Sequence, residues 1–339
     1  MILTIPSRAF LTLQNGRHKP LAIDIRPCRG GARLTTVPGR VSVVVEVSDA
    51  SSRQLPWSDF VRAYRLDGGT FTLGSREVTV GAFSFPVADV PASAELARPR
   101  KVVLRLPDAE VTETLRRVTP VMYRDDSLPR PHLAALHIRR IDGVVQFTAL
   151  EGCRMARVSH PSKGRPFAVL IPAAAIEALG RMTGDLALRM DGDDVLLRRG
   201  RSWVRSTVNP SIGAPKYDDV IPTMQVHKVT ADGATLRGIV GGIKRHVKSR
   251  AFKEAPIRLE GALRVSAMLE GIDGEDKGRV TATVPAVGSI GVPVDVNAKY
   301  LLDAIGDGEV TIETSGVLDP ITVRDGNVLS VAMPMRVGR

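Results

Sequence analysis

The chain has 339 residues, 43% of them hydrophobic, and 47 Lys and Arg against 36 Asp and Glu, a net charge of +11. That composition is ordinary for a folded protein and excludes a largely disordered one; the excess of basic charge points to an anionic partner, of which nucleic acid is the commonest. The longest apolar stretch, Ala168 to Ile176, is interrupted by Pro172, which excludes a membrane-spanning helix, and two cysteines, Cys28 and Cys153, are too few for a disulfide framework or a cysteine-rich zinc site.

The opening MILTIPSRAF has no basic segment followed by an apolar block. The expectation is therefore a protein without a secretory leader, working in a reducing cytoplasm. Two patterns then recur along the chain. An apolar residue and a proline precede a helical stretch at Leu55-Pro56-Trp57, at Ile171-Pro172-Ala173 and at Val292-Pro293-Val294. Proline suits a first helical turn because its missing N–H would have no partner there. A second helix signal opens each third: Ile5-Pro6 before SRAFLTL, Leu106-Pro107 before DAEVTETLRRV, and Val229-Thr230 before ADGATLRGIVGGIKRHV. In the last of these Leu236, Ile239, Val240, Ile243 and Val247 fall on one helical face.

Short alternating strands lie between the helices, at Val41 to Val47, Val145 to Leu150, Leu186 to Met190, Val195 to Arg198 and Val310 to Thr314. The turn signals are Asp67-Gly68, Asp142-Gly143, Asp191-Gly192, Asp307-Gly308 and Asp325-Gly326. Each third reads as two helices and about eight strands. The expected domains are 1–97, 98–222 and 223–339, with Pro91 to Lys101 as a linker. Three copies of one α+β unit are too long for a solenoid repeat and suggest an arc or a ring.

Signatures of catalysis are missing. The chain has no phosphate-binding glycine loop, no serine nucleophile elbow and no His-Glu-x-x-His zinc helix. His18, His132, His137, His160, His227 and His246 lack metal-ligand spacing, so no metal and no cofactor is expected. Cys153 reads as a small thiol rather than a nucleophile. Asp125-Asp126, Asp193-Asp194 and Asp218-Asp219 read as solvated turns.

Basic residues carry more information. Arg237, Lys244 and Lys248 share a helical stripe with Gly241, thickened by Arg245, and Arg116 and Arg117 occupy the comparable middle helix. By thirds, basic and acidic residues number eleven and eight, twenty-one and fourteen, and fifteen and fourteen. The last third is thus nearly neutral, and its basic helix is a polarised feature. The candidate duplex-binding set is Arg17, Lys19, Arg116, Arg117, Lys244, Arg245 and Lys248. No aromatic stacking platform accompanies it, which disfavours a reader of single strands or RNA bases.

The chain ends in Val331-Ala332-Met333-Pro334-Met335-Arg336-Val337-Gly338-Arg339. This tail resembles the C-terminus of the β subunit of bacterial DNA polymerase III, the β sliding clamp. Three further segments agree in order: Leu150-Glu151-Gly152-Cys153-Arg154-Met155-Ala156, Ala214-Pro215-Lys216-Tyr217-Asp218-Asp219-Val220-Ile221-Pro222, and Leu318-Asp319-Pro320-Ile321. Met1-Ile2-Leu3-Thr4-Ile5 is similar to the family's first strand. Resemblance runs from about residue 106 to 337 and is weaker before. Cys153 stands where the family usually has His, Leu150 and Glu151 replace Thr and Asp, and Asp219 occupies a rim position that is often basic.

The resemblance implies three tandem clamp-type domains, each two helices packed on antiparallel sheets, with two chains closing a six-domain ring around duplex DNA. Such a ring is not an enzyme; it tethers a replicative polymerase. The implied partners are double-stranded DNA without sequence preference, the polymerase III α subunit, the clamp loader, other replication or repair proteins, and a second copy of the chain. A peptide pocket between the second and third domains is implied, walled by Leu133, Leu150, Gly152, Met155, Pro215, Val220, Leu318, Val331, Met333, Pro334 and Met335. Cys153, Arg154 and Arg336 lie at its rim. A non-closing DNA-binding scaffold or a specialised clamp paralogue shares the repeat and the charge.

Overall fold

The computed structural model describes residues 2–5, 10, 22–28, 31–37, 41–45, 53–66, 70–73, 77–80, 83–86, 101–123, 131–192, 194–207, 215–247, 256–270 and 276–336. Its strands are β1 (Ile2–Thr4), β2 (Ala22–Cys28), β3 (Gly31–Val37), β4 (Val41–Val45), β5 (Arg53–Pro56), β6 (Thr70–Leu73), β7 (Glu77–Val80) and β8 (Phe83–Pro86). Next come β9 (Lys101–Leu106), β10 (Ala135–Ile141), β11 (Val144–Glu151), β12 (Arg154–Pro161), β13 (Phe167–Pro172), β14 (Leu186–Asp191), β15 (Asp194–Arg199) and β16 (Ser202–Thr207). The last are β17 (His227–Asp232), β18 (Pro256–Gly261), β19 (Arg264–Glu270), β20 (Asp276–Thr283), β21 (Ala286–Asn297), β22 (Glu309–Thr314), β23 (Ile321–Asp325) and β24 (Val328–Ala332). The α-helices described in full are α1 (Trp57–Leu66), α2 (Asp108–Val118), α3 (Ala173–Gly180), α4 (Gly233–His246) and α5 (Ala298–Ala304).

Two compact units emerge. Unit 1 is Met1–Leu115 with Val169–Ile212, and unit 2 is Arg116–Ala168 with Gly213–Arg339. Unit 1 contains a sheet ordered β1-β6-β7-β8 and another ordered β5-β2-β3-β4-β16-β15-β14-β9. In unit 2 the strands run β10-β11-β12-β24-β23-β22-β17-β21-β18-β19-β20. One topology recurs at an offset of eight strands. The order β1-β6-β7-β8 returns as β9-β14-β15-β16 and β17-β22-β23-β24, and β5-β2-β3-β4 returns as β21-β18-β19-β20. The junctions repeat as well: β4 pairs with β16 and β12 pairs with β24, both antiparallel. Because each junction is a continuous hydrogen-bonded ladder, compact units form around junctions and cut across the middle repeat.

The helix expected on the 3.6-residue stripe is α4. Asp232 caps it, accepting from the Thr235 N–H at 2.7 Å. Leu236, Val240, Ile243 and Val247 are buried in the unit 2 core, and Ile239 packs on its margin. The signal at Pro293 marks no helix. Pro293 lies within β21, where residues 286–289 pair with β17, and where the β18 ladder shifts register between Val294–Leu259 and Ile290–Gly261. Pro293 sits in that irregularity, and a bulged position tolerates the loss of an N–H donor. The helix begins at Ala298, capped by the Asn297 side chain, which accepts from the Lys299 and Tyr300 N–H groups.

Asp142-Gly143 forms the expected hairpin, with φ of 49° and 75° in a two-residue loop between the paired Ile141 and Val144. Gly192 and Gly326 likewise hold positive φ in hairpin loops. Asp307-Gly308 instead joins α5 to β22, and Asp67-Gly68 lies outside the described residues. In unit 1, Arg199 is a packing centre. It is 3% exposed, ion-pairs with Asp108, and donates to Thr112 Oγ1 and to the Leu179 and Gly184 carbonyls. It thereby fastens the start of α2 and the end of α3 to β15.

Candidate docking surface and basic helices

The predicted pocket residues gather in unit 2, around the β12–β24 junction. Register places Leu150 opposite Met155, Met155 opposite Val331, and Arg154 opposite Ala332. Side chains opposite one another share a face, so Leu150, Met155 and Val331 form one row. A single 3-10 turn, Tyr217–Val220, lies over that row. Met155, Tyr217 and Val331 make a buried cluster with Leu150 and Ile221 packed against it. Met155 at 1% exposure and Val331 at 4% are thus core residues beneath the surface, not walls open to a ligand.

The accessible residues surround this cluster. Gly152 and Cys153 form the exposed β11–β12 turn, and Val220, Leu318 and Met333 are 39%, 54% and 42% exposed. Leu133, Pro215, Pro334 and Met335 are half-buried and Arg336 is exposed. The tail is tied down: the Met333 N–H donates to the Cys153 carbonyl at 2.8 Å and the Met335 N–H to the Asp295 carbonyl at 2.7 Å. Pairing of Ile321 with Ala332 sets the 315–320 loop beside Met333. That loop also meets the 222–226 segment, because Ser315 Oγ donates to the Met224 carbonyl at 2.7 Å. Met224, Val226 and Val317, not foreseen from sequence, extend the exposed apolar surface.

Arg154 departs from its expected role at the rim. It is 7% exposed, ion-paired to Glu151 and Asp303 at 2.6 Å each, donates to the Pro120 carbonyl, and lies 4.3 Å from the Tyr300 ring centroid. Its donors are spent inside the chain. A different arginine pair holds the Tyr217 turn. Asp218 Oδ1 accepts from Arg157 Nη1 at 2.8 Å, and its Oδ2 accepts from Arg139 Nη2 at 2.8 Å. Hydrogen bonding to Arg139 is the main reason the Asp218 carboxyl is held below its ordinary pKa. No sequence signal marked this clasp, since Asp218 looked like a solvated turn residue.

His137 sits next to it, 3% exposed, with its ring stacked on Tyr217 at 5.0 Å. Burial first, then the charges of Arg139 and Arg157, lower its pKa from 6.5 to about 4. Between those values the unfolded chain binds a proton that the folded chain does not. Stability is therefore present above pH 6.5 and lost as pH falls towards 4, by about 3 kcal/mol for the 2.5-unit difference. His137→Phe should flatten the stability profile in this window, as read by denaturant melts at a series of pH values.

The basic residues divide. Arg116 and Arg245 are exposed and Lys244 is half-buried. Arg117 is 4% exposed and ion-paired to Asp325, with a hydrogen bond to the Ala304 carbonyl. It is an internal strut rather than an exposed candidate for binding a duplex. Arg237 donates to the Ile305 carbonyl and meets Asp307 at 3.3 Å. Arg17, Lys19 and Lys248 lie outside the described residues. Among the described residues no group of three or more His, Cys, Asp or Glu could hold a metal ion, and no helix is long and apolar enough to cross a membrane.

Three passes through one eight-strand topology, joined by continuous sheets, define the fold of the DNA sliding clamps. Solved structures of the β subunit of bacterial DNA polymerase share it. The β subunit from Streptococcus pyogenes matches with a TM-score of 0.76 at 17% identity, over 99% of this chain and 100% of that one. The sliding clamp from Bacillus subtilis and the DNA polymerase III β subunit from Thermotoga maritima each match with a TM-score of 0.77 at 14% identity, over the full length of both chains. No family model matches the chain, and no curated protein does.

Proposed function

We propose that the protein is a DNA sliding clamp: a non-catalytic ring of two chains that encircles duplex DNA and tethers a replicative polymerase in the cytoplasm. The observation that carries this reading is the repeated junction. In each case the fourth strand of one repeat pairs with the eighth strand of the next, as β4 with β16 and β12 with β24. One more application of the rule pairs β20, the edge of the last repeat, with β8 of a second copy. Among the described residues both strands end their sheets, and an exposed edge is a template for another chain. A heterologous contact that closes after two copies gives a six-repeat ring with domains 1–97, 98–222 and 223–339.

Duplex DNA is held through phosphates by Arg116, Lys244 and Arg245, joined by Arg17, Lys19 and Lys248. Such contacts carry no base readout, so the ring slides. The apolar surface around Leu318 and Met333 takes short peptides from the polymerase α subunit, the clamp loader and other replication or repair proteins.

Retention on DNA tests the reading. Sedimentation should give twice the chain mass, and the loaded protein should stay on nicked circles yet run off linear DNA. A monomer, or equal retention on both, rejects the ring in favour of an open scaffold. Reversing Lys244 and Arg245 to Glu should weaken duplex binding and flatten its log–log salt slope by about 0.9 for each phosphate no longer neutralised. An unchanged slope would make that helix face merely solvated.

A further inference from the structure

Arg157 lies on β12 two residues from Met155, on the same sheet face, with Thr148 and His137 opposite it in turn across β11 and β10. This polar row adjoins the apolar row of the docking surface, and Tyr217 covers both. Arg157 spends Nε on Thr148 Oγ1 and Nη1 on Asp218. Its Nη2, the Tyr217 hydroxyl and both ring nitrogens of His137 are buried without a hydrogen-bond partner among the described residues. The three side chains are all more than nine-tenths buried, at 6%, 1% and 3% exposure.

We propose that this row is a binding site for an anionic group, supplied by an Asp or Glu side chain of the docked peptide; the proposal rests on the docking reading above. A buried polar atom without a partner costs about 1–3 kcal/mol, and three residues bear that cost at one place. Charge decides the ligand class. Among the described residues Arg139 and Arg157 share the single carboxylate of Asp218, and with His137 neutral at pH 7 those residues leave one positive charge uncompensated. Water would supply hydrogen bonds but no charge; a carboxylate supplies both. It would accept from Arg157 Nη2, from the Tyr217 hydroxyl and from whichever His137 nitrogen carries the proton. The site is close to solvent, since Asp218, 58% exposed, bonds the same guanidinium. It is also close to the docked chain, because Met155 and Tyr217 support both rows.

Random dodecapeptides displayed on phage and selected on the full-length protein test this. Docking ligands are those that lose binding to Leu318→Ala/Met333→Ala. Among them, an Asp or Glu should be enriched at one position beside the apolar anchors, and changing it to Ala should weaken binding about tenfold. Tyr217→Phe keeps the ring on His137 and removes only the hydroxyl. It should weaken the acidic peptide at least fivefold and its Ala counterpart less than twofold. Docking ligands without acidic enrichment, or equal losses for the two peptides, overturn the anion site and leave the docking surface standing. If no selected peptide responds to Leu318→Ala/Met333→Ala, the docking reading falls and the anion site with it. If acetate at constant ionic strength abolishes the difference between the two peptides, the anion site stands but takes free carboxylates as well.

Discussion

Arg117→Ala should lower the unfolding free energy by about 3–5 kcal/mol and leave the salt slope of duplex binding unchanged. Adjacent Arg116 and Arg117 look equivalent in sequence, yet neighbours on a helix point about 100° apart. Arg116 is exposed, whereas Arg117 enters unit 2 and meets Asp325 and the Ala304 carbonyl. Removing the guanidinium leaves Asp325, itself 16% exposed, as a carboxylate with little water and without its ion-pair partner. The cost of that orphaned charge exceeds the worth of the pair itself, so replacing both residues with Leu should cost less than the single change. Gly306 gives an independent check. A Cβ there would collide with the Asp325 carboxylate and the Arg117 guanidinium, so Gly306→Ala should destabilise through the same pair. Denaturant melts measure all three. A loss of DNA affinity without a loss of stability would return Arg117 to the duplex face.

What the sequence disclosed follows from the range of the interactions involved. The stripe from Leu236 to Val247 is periodic within one helix, and Asp142-Gly143 is a two-residue turn with a backbone requirement of its own. Both are local signals, and both are in the structure. The threefold repeat was legible because hairpin turns and helix starts recur in order. Pro293 misled because proline suits a first helical turn and an irregularity in a sheet ladder equally well, and only the strand partners decide between them. The β4–β16 and β12–β24 junctions, the Asp218 clasp and the Arg117–Asp325 pair join residues far apart in sequence. For Arg117 and Asp325 the separation is 208 positions. No periodicity encodes such a meeting. The tail and the Gly152-Cys153 turn, far apart in sequence, do meet in the structure, but motif residues do not reveal depth. Arg154, Met155 and Val331 lie beneath the surface.

That difference in depth decides how docking is best probed. Leu318→Ala with Met333→Ala should reduce affinity for the polymerase α subunit by about 2–4 kcal/mol, or roughly 30- to 1,000-fold. Both side chains are substantially exposed, and trimming exposed side chains typically shifts stability by less than about 0.5 kcal/mol. On the proposed function the variant should keep the mass of two chains, its melting temperature and its retention on nicked circles. Met155→Ala is a different experiment. Met155 is 1% exposed and packs against Tyr217 and Val331, so truncation there opens a cavity and costs about 2–5 kcal/mol. It also removes support from the Tyr217 turn, and with it the placement of Val220 and Ile221. A docking defect in Met155→Ala would therefore mix weaker peptide binding with a displaced wall, whereas the surface pair reports on the peptide alone. Comparing the two separates the contributions: if Met155→Ala loses affinity and Leu318→Ala/Met333→Ala does not, the polymerase binds elsewhere and the apparent defect is one of folding.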